Sequence, residues 1–241
     1  MQIIPIFIEK EITTNDDLSE LILSSGNILD GDIVVIAQKI ISKQEGRIVE
    51  LSSVSPSLLA EGISSQYNKD PNIVELILSE SKRIVRMNNG ILIVETHDGL
   101  ICANAGIDES NVMDGYATLL PLDSDISAQI IRRNILKKTG KNVAVIISDT
   151  FGRPFRMGQT NCAIGISGLN PILDYAGTLD SFKRVLRVTA IAVADELSSS
   201  AELVMEKTKK CPVVIIRDYS FTVGENKIND LIRPENEDLF K

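Results

Sequence analysis

Residues 142–159, NVAVIISDTFGRPFRMGQ, decide the predicted fold. This stretch begins with a continuous apolar run, residues 143–147, which is rich in β-branched side chains and has no polar alternation. Such a run is typical of a strand buried on both faces. The strand is predicted to stop at Ser148 and Asp149, where the sequence becomes polar. Because open α/β sheets bind their ligands beyond strand ends, we expect a functional site there.

The polar residues that follow this strand suggest a particular chemistry. Asp149 and Thr150 come first, and Arg153, Arg156 and Gln159 follow within ten residues. A carboxylate, a hydroxyl and two guanidinium groups are what a metal-bound phosphate ester requires. The alternative is that Asp149 or Thr150 only caps the next turn and that the arginines are solvated. This stretch alone does not decide between the two interpretations.

Composition limits the class of protein. The chain has 241 residues, 44% hydrophobic and 24% charged, which is typical of a globular protein with a sizeable core. The net charge of −8 argues against a nucleic-acid partner, because phosphate backbones are usually bound by a basic face. No apolar run approaches the roughly 20 residues of a membrane-spanning helix, so no membrane partner is expected.

The cysteines and the N-terminus indicate a cytoplasmic protein. Cys102, Cys162 and Cys211 are far apart, without C-x-x-C spacing. Three cysteines cannot all pair within one chain, so reduced thiols in a cytosol are expected. The N-terminal residues MQIIPIFIEKEI contain two glutamates and are typical of a strand rather than a signal peptide.

Strands and helices intermix along the chain without strict βαβ repetition. Strands are predicted at 3–8, 33–37, 91–94, 100–103, 143–147 and 212–216, with an Asp98-Gly99 hairpin turn. Helices are predicted at 18–23, 57–67, 71–85, 125–138 and 189–205. We therefore expect an α+β (mixed α/β) fold with mixed sheets. Residues 1–241 are predicted to form a single domain, with a soft subdomain boundary near residues 160–170.

Motifs for common nucleotide sites are absent from the sequence. There is neither a G-x-x-x-x-G-K-[ST] motif nor a G-x-G-x-x-G motif, so a P-loop or a Rossmann site is not expected. His97 is the only histidine, which leaves little basis for Ser-His or histidine-metal chemistry. The segment NAGIDESN, residues 104–111, offers Asp108, Glu109 and Asn111 as oxygen ligands, although by itself a solvated turn is favoured. Oxygen ligands indicate Mg²⁺ or Mn²⁺ with substrate phosphates.

Several long segments together resemble one known family in order and spacing. They are DGDIVVIAQKIISKQEGRIVEL (30–51), NAGIDESNV (104–112), VAVIISDTFGRPFRMGQ (143–159) followed by AIGISG (163–168), and AVADELSSSAELVM (192–205) before PVVIIR (212–217). The chain resembles the coenzyme F420-0:L-glutamate ligase (F420 gamma-glutamyl ligase) family from about Pro5 to Arg217.

The resemblance implies an activity and its partners. It implies a cytosolic homodimer that uses GTP and divalent metal, with two Mg²⁺ or Mn²⁺ ions per site and K⁺ as a further candidate. The implied reaction adds L-glutamate to the lactyl carboxylate of the deazaflavin F420-0, and then adds a second, γ-linked glutamate. An acyl phosphate is the expected intermediate, because joining a carboxylate to an amine in water needs activation.

The resemblance also implies site residues. The expected metal ligands are Asp108, Asp149 and Thr150, with Glu206 as a candidate ligand of the second metal. The expected nucleotide-binding residues are Glu9, Lys10, Glu11, Ile12, Gln38, Lys39, Lys43, Asn111, Met205, Glu206 and Lys207. Catalysis is assigned to Asp108, Asp149 and Lys43, where Lys43 neutralises phosphate charge. From arginine chemistry alone, Arg153 or Arg156 is expected to clamp the acidic substrate.

Two positions depart from the family pattern. The family often has Gly-Leu-Pro where this chain has Ile8-Glu9-Lys10, and it usually has Met-Gly where this chain has Met205-Glu206. Loss of the glycine removes backbone freedom beside the phosphates, whereas Glu206 offers a metal ligand. Two alternative functions stay open at this point. They are a metal-dependent phosphohydrolase, and a non-catalytic nucleotide-binding homologue, to which the Glu206 departure points.

Overall fold

The computed structural model describes residues 1–238. The strands are β1 (Gln2–Ile6), β2 (Ile33–Ala37), β3 (Ile48–Glu50), β4 (Ser81–Asn88), β5 (Ile91–Thr96), β6 (Ile101–Ala103), β7 (Tyr116–Thr118), β8 (Ala144–Arg153), β9 (Arg156–Ser167), β10 (Leu173–Asp174), β11 (Ala190–Ile191) and β12 (Val213–Arg217). The helices are α1 (Leu18–Ser25), α2 (Gln38–Gln44), α3 (Leu58–Tyr67), α4 (Pro71–Ser79), α5 (Ser124–Thr139) and α6 (Val193–Met205). The α+β fold class is confirmed.

A five-stranded mixed sheet forms the centre, in the order β1-β12-β2-β8-β9. β2 and β8 are parallel, and the other neighbouring strands are antiparallel. One face packs against α1 and α5 through residues such as Ile22 and Ile135, and the other packs against α6 through residues such as Leu197. Burial on both faces explains why the central strands read as continuous apolar runs.

A second core lies beside this central sheet. The three-stranded antiparallel sheet β4-β5-β6 packs with α3 and α4 around residues such as Val74, Ile77 and Leu92. The predicted hairpin turn at Asp98-Gly99 is confirmed, since Gly99 has a φ of 87° and β5 pairs with β6. The short β3-β7 pair places residues 104–111 next to α2, because Asp108 also bridges to Thr118.

The prediction that the central strand stops at Ser148 and Asp149 is wrong. β8 continues to Arg153 and pairs with β9, with Asp149 opposite Cys162 and Thr150 opposite Asn161. The polar side chains remain in the strand because cross-strand hydrogen bonds, not apolar burial, hold this part of the hairpin. Asp149 and Thr150 therefore lie on opposite faces of a strand rather than in a loop beyond it.

Two predicted helices differ from the structure. The helix predicted at 71–85 ends at Ser79, and residues from Ser81 form β4. An Asn89-Gly90 turn with φ values of 49° and 75° folds β4 onto β5, and this dipeptide is a strong hairpin signal. The helix predicted from residue 189 begins at Val193, because residues 190–191 form β11 with β10.

Two helices begin or end at residues that are typical of helix termini. Asp70 caps α4 with Pro71 at the first helical position, and Gly140 ends α5 in the left-handed conformation. Gly165 in β9 allows a close approach, since an added Cβ would lie 2.4 Å from Ser124 at the start of α5. None of the helices within residues 1–238 is long and apolar enough to cross a membrane.

Candidate active site

The parallel pair β2-β8 sets the position of the candidate site. Ala37, the last residue of β2, pairs with Ser148 of β8, so the next residues, Gln38 and Asp149, lie side by side. α2 begins directly at Gln38, although no helix was predicted at residues 38–44. Because residues four apart lie on one helix face, α2 presents Lys39 and Lys43 side by side.

Lys39 holds Asp108 in a dense polar cluster. Its ammonium lies 2.6 Å from Asp108 Oδ2 and donates to both the backbone oxygen and the Oγ of Ser110, each at 2.8 Å. Asp108 also accepts hydrogen bonds from the Ser110 backbone N–H at 2.7 Å and from its hydroxyl at 2.9 Å. Burial acts to raise the pKa of Asp108, but these bonds outweigh it and hold the pKa below its usual value.

Lys43 is buried and linked to two other predicted nucleotide-binding residues. It forms an ion pair with Glu11 and donates to the backbone oxygen of Asn111 at 2.8 Å. Gln38, the first residue of α2, is buried and accepts a hydrogen bond from the Ser42 hydroxyl at 2.8 Å. The N-terminal loop, the 104–111 segment and α2 thus meet around one ammonium group.

Asp149 lies close enough to Asp108, Lys39 and Lys207 for their charges to change its pKa. Burial raises the pKa of Asp149 from 3.8 to about 6, and Asp108 adds to this rise, whereas Lys207 and Lys39 lower the pKa. The structure therefore brings together the two carboxylates that the sequence assigned to catalysis, although 41 residues separate them.

Thr150 points to the other face of β8, where it joins a polar network that runs from buried Asn161 to exposed Lys207. Its hydroxyl donates to Asn161 Oδ1 at 2.7 Å and accepts from Lys207 Nζ at 2.5 Å. Asn161 also donates to Glu202 of α6 at 3.1 Å and to Ser148 at 2.9 Å. Lys207 also lies 3.3 Å from Glu202. Its contacts with Thr150 and Glu202 connect the segment after α6 to β8.

The remaining residues from the end of α6 are placed differently. The Met205 side chain is buried in the core. Glu206 pairs with Lys209, and its backbone has φ 47° and ψ 166°, a conformation that is almost restricted to glycine. Glu202, rather than Glu206, is the carboxylate that the structure brings to Thr150 through Asn161 and Lys207.

In the predicted N-terminal loop, some side chains form ion pairs and one packs in the core. Glu9 pairs with Lys210 at 3.0 Å, which connects this loop to the segment after α6. Lys10 forms an ion pair with Asp16, and the Ile12 side chain packs in the core.

Arg153 and Arg156 lie at the exposed end of the β8-β9 hairpin. Arg153 donates to the backbone oxygen of Met157 at 3.1 Å. Both side chains are exposed, so they are available to a ligand but are not pre-positioned by burial.

Three residues of the cluster were absent from the predicted site: Ser110, Asn161 and Glu202. Asn161 could have been predicted from the sequence, because a β-hairpin over residues 148–167 would place it opposite Thr150. The sequence evidence for Glu202 was weaker: it is a carboxylate in the second half of α6, between apolar residues.

The residues present fit a divalent metal in part. Within residues 1–238, no three His, Cys, Asp or Glu side chains are grouped so that they could hold a metal ion unaided. However, Mg²⁺ commonly uses one or two carboxylates together with substrate phosphates and water. Asp108 and Asp149 supply hard oxygen donors, whereas the Thr150 hydroxyl lies on the other face of β8, bonded to Asn161 and Lys207. The two carboxylates suit such a shared metal.

The fold and the site together define an α+β protein with paired acids and lysines at the point where β2 ends beside the parallel strand β8. Residues 8–218 match the family described as F420-0:Gamma-glutamyl ligase, and the chain belongs to this family.

Several curated relatives are similar along nearly their whole length. The coenzyme F420:L-glutamate ligase of Methanothermobacter thermautotrophicus is 46% identical over 238 residues, which cover 95% of this chain and 94% of the relative. The enzyme of the same name from Methanocaldococcus jannaschii is 47% identical over 226 residues, with 93% and 90% covered. That of Methanopyrus kandleri is 40% identical over 246 residues, with 100% and 98% covered.

Proposed function

We propose that this protein is a GTP-dependent ligase that adds L-glutamate to the lactyl carboxylate of F420-0 and then adds a second, γ-linked glutamate. Family membership supports the ligase chemistry. The observation that carries the proposal is the convergence of Asp108, Asp149, Lys39 and Lys43 where β2 ends beside β8. Such a cluster suits phosphoryl transfer, which depends mainly on positioning and charge neutralisation.

The proposed reaction has two steps. The F420-0 carboxylate oxygen attacks the γ-phosphorus of GTP, a P–O bond to the β-phosphate breaks, and GDP leaves. The glutamate amine then attacks the resulting acyl phosphate, so that a C–N bond forms, phosphate leaves and a proton is released. Lys43 would neutralise phosphate charge, since its ammonium is a buried point charge held by Glu11 and Asn111.

Asp108 and Asp149 are the residues that would hold one divalent metal, and Thr150, whose hydroxyl lies on the other face of β8 toward Glu202, would serve the second. When bound, Mg²⁺ or Mn²⁺ would supply charge neutralisation at the phosphate oxygens. Lys39 would keep the Asp108 carboxylate in place, because it connects this group to the Ser110 turn. A second ion is part of the proposal, with Glu202 a better placed candidate ligand than Glu206.

A homodimer in the cytosol belongs to the same proposal. Exposed apolar side chains support an interface, since Met157 at the hairpin end is 97% exposed and Val188 is 91% exposed. Light scattering coupled to gel filtration tests this: a dimer mass is expected, and a monomer at micromolar concentration contradicts it.

Phosphate release tests the reaction class. We expect GTP consumption only when F420-0 and L-glutamate are both present with divalent metal, and none with Asp149→Asn. Phosphate release without glutamate would favour the phosphohydrolase. GTP binding without turnover would favour the non-catalytic homologue.

A further inference from the structure

A cavity of about 490 Å³ opens beside the edge strand β9. Its walls come from β9, the start of α6, the β4-β5-β6 sheet and the C-terminal segment. This volume lies within the range of small-molecule sites and exceeds that of a single amino acid. None of the residues predicted for the nucleotide or the metal lines this cavity.

The cavity adjoins the proposed reaction centre through β8 and β9. Phe151 lines it and lies two residues after Asp149, on the same strand face. Cys162 also lines it and is the cross-strand partner of Asp149. A molecule in the cavity would therefore lie one side chain away from Asp149.

Asp195 supplies a carboxylate on the α6 wall. Its Oδ1 accepts the Ala163 backbone N–H at 2.9 Å, which fixes the side chain at the sheet edge. Within residues 1–238, no Lys or Arg forms an ion pair with this half-buried carboxylate. It thus offers negative charge and a second oxygen to a cationic group in the cavity.

Cationic side chains lie on the opposite walls. Lys82 and Arg83 both pair with Glu95, at 2.9 Å and 2.6 Å, and Glu95 thereby holds the two cations together. Each retains further N–H donors, because an ammonium has three and a guanidinium five. Arg233 also lines the cavity and is exposed, and the described part of the chain gives it no ion pair.

We propose, on the basis of the proposed function, that this cavity binds the amino-acid co-substrate: Asp195 receives the ammonium group, and Arg83 and Arg233 receive the two carboxylates. An amino dicarboxylate needs one negative and two positive partners. Asp195, Arg83 and Arg233 supply these three, in walls that also carry Lys82 and the acids Glu95, Glu235 and Asp238, with Glu235 3.9 Å from Arg83. The position next to Phe151 and Cys162 directs the amine toward the acyl phosphate formed near Asp149.

Two charge-removing variants test the assignment. Asp195→Asn keeps the Oδ1 acceptor for the Ala163 N–H, and Arg233→Gln removes an exposed charge, so both proteins should fold; thermal unfolding followed by circular dichroism checks this. Glu196→Gln is the matched control, because Glu196 is exposed on the same turn of α6 and lies outside the cavity.

Steady-state kinetics of the whole protein give the readout. We expect each cavity variant to raise KM for L-glutamate at least about tenfold, the loss of one charge-assisted contact, with KM for GTP unchanged. The control should match the wild type. Unchanged KM for L-glutamate in both variants overturns the proposal, and so does a rise in KM for F420-0 alone, which would assign the cavity to the other substrate.

Two separate measurements test the ligase reaction and the glutamate site. If the wild type shows no glutamate-dependent turnover, the ligase proposal fails, and calorimetric titration with L-glutamate then tests the cavity directly. Binding by the wild type that Asp195→Asn loses supports the cavity site. Equal binding by both proteins, or no binding by either, overturns it.

Discussion

Replacing Asp149 by asparagine should stabilise the protein while abolishing turnover. Burial raises the pKa of this carboxyl from 3.8 to about 6, so its ionised form is disfavoured in the native state. A rise of about two in pKa corresponds to about 3 kcal/mol of unfolding free energy above pH 6. Because asparagine is isosteric and neutral, Asp149→Asn should recover roughly 1–3 kcal/mol of this.

The pH dependence follows from the direction of the pKa change. Between about pH 4 and 6 the native protein keeps a proton on Asp149 that the unfolded chain releases, so this group lowers stability as pH rises. The variant and the wild type should therefore be about equally stable near pH 4, and the variant should be more stable at pH 7. For a chain of this length, each kcal/mol corresponds to a rise of about 2–4 °C in Tm.

The assay is thermal unfolding in EDTA at a series of pH values, with turnover measured separately in metal. Adding Mn²⁺ and GTP should raise the Tm of the wild type more than that of Asp149→Asn, because only the wild type retains the proposed ligand. An asparagine variant that is less stable than the wild type at pH 7 would refute the electrostatic reasoning. One that turns over at the wild-type rate would refute the catalytic assignment.

Three further predictions concern other parts of the molecule. Lys43→Gln should raise KM for GTP by roughly 10–100-fold, because a charged hydrogen bond is worth about 1.5–3 kcal/mol; steady-state kinetics check this, and an unchanged KM contradicts the phosphate role. Glu206→Gly should raise the unfolding free energy by about 1 kcal/mol in urea titrations, because it relieves a positive φ; a lower value would mean that the conformation is not strained. Burial raises the pKa of Cys102 to about 12 and that of Cys162 to about 11, so the two thiols of the native protein should react slowly with a disulfide reagent at pH 8; rapid modification of either thiol would contradict its raised pKa.

The sequence predicted the central strands because their signal is local. A run of β-branched residues without polar alternation indicates a strand buried on both faces, and β2, the start of β8 and β12 all show this pattern. The extension of β8 to Arg153 depends on pairing with β9, and this non-local pairing outweighs the polar character of residues 148–152.

The error in α4 has a different cause. Ile84 continued the helical spacing from Ile77, so the apolar period favoured a longer helix. The Asn89-Gly90 turn was visible in the sequence, and the hairpin that it forms pairs residues from Ser81 onward with β5.

The candidate site was partly predictable because its residues lie in long motifs that recur in one order. What the sequence could not supply is their mutual placement. The pairing of Ala37 with Ser148 brings α2 to Asp149, and Asn161 reaches Glu202 across 41 residues of chain. Contacts of this kind depend on strand register and helix packing, which no single segment encodes.

The most direct test of the proposed ligase reaction is mass spectrometry of F420-0 after incubation with this protein, L-glutamate, GTP and Mn²⁺. We expect a product heavier by one or two glutamyl residues, which is absent when GTP is omitted and absent with Asp149→Asn. Unmodified F420-0, recovered from a folded protein that has consumed or bound GTP, would contradict it.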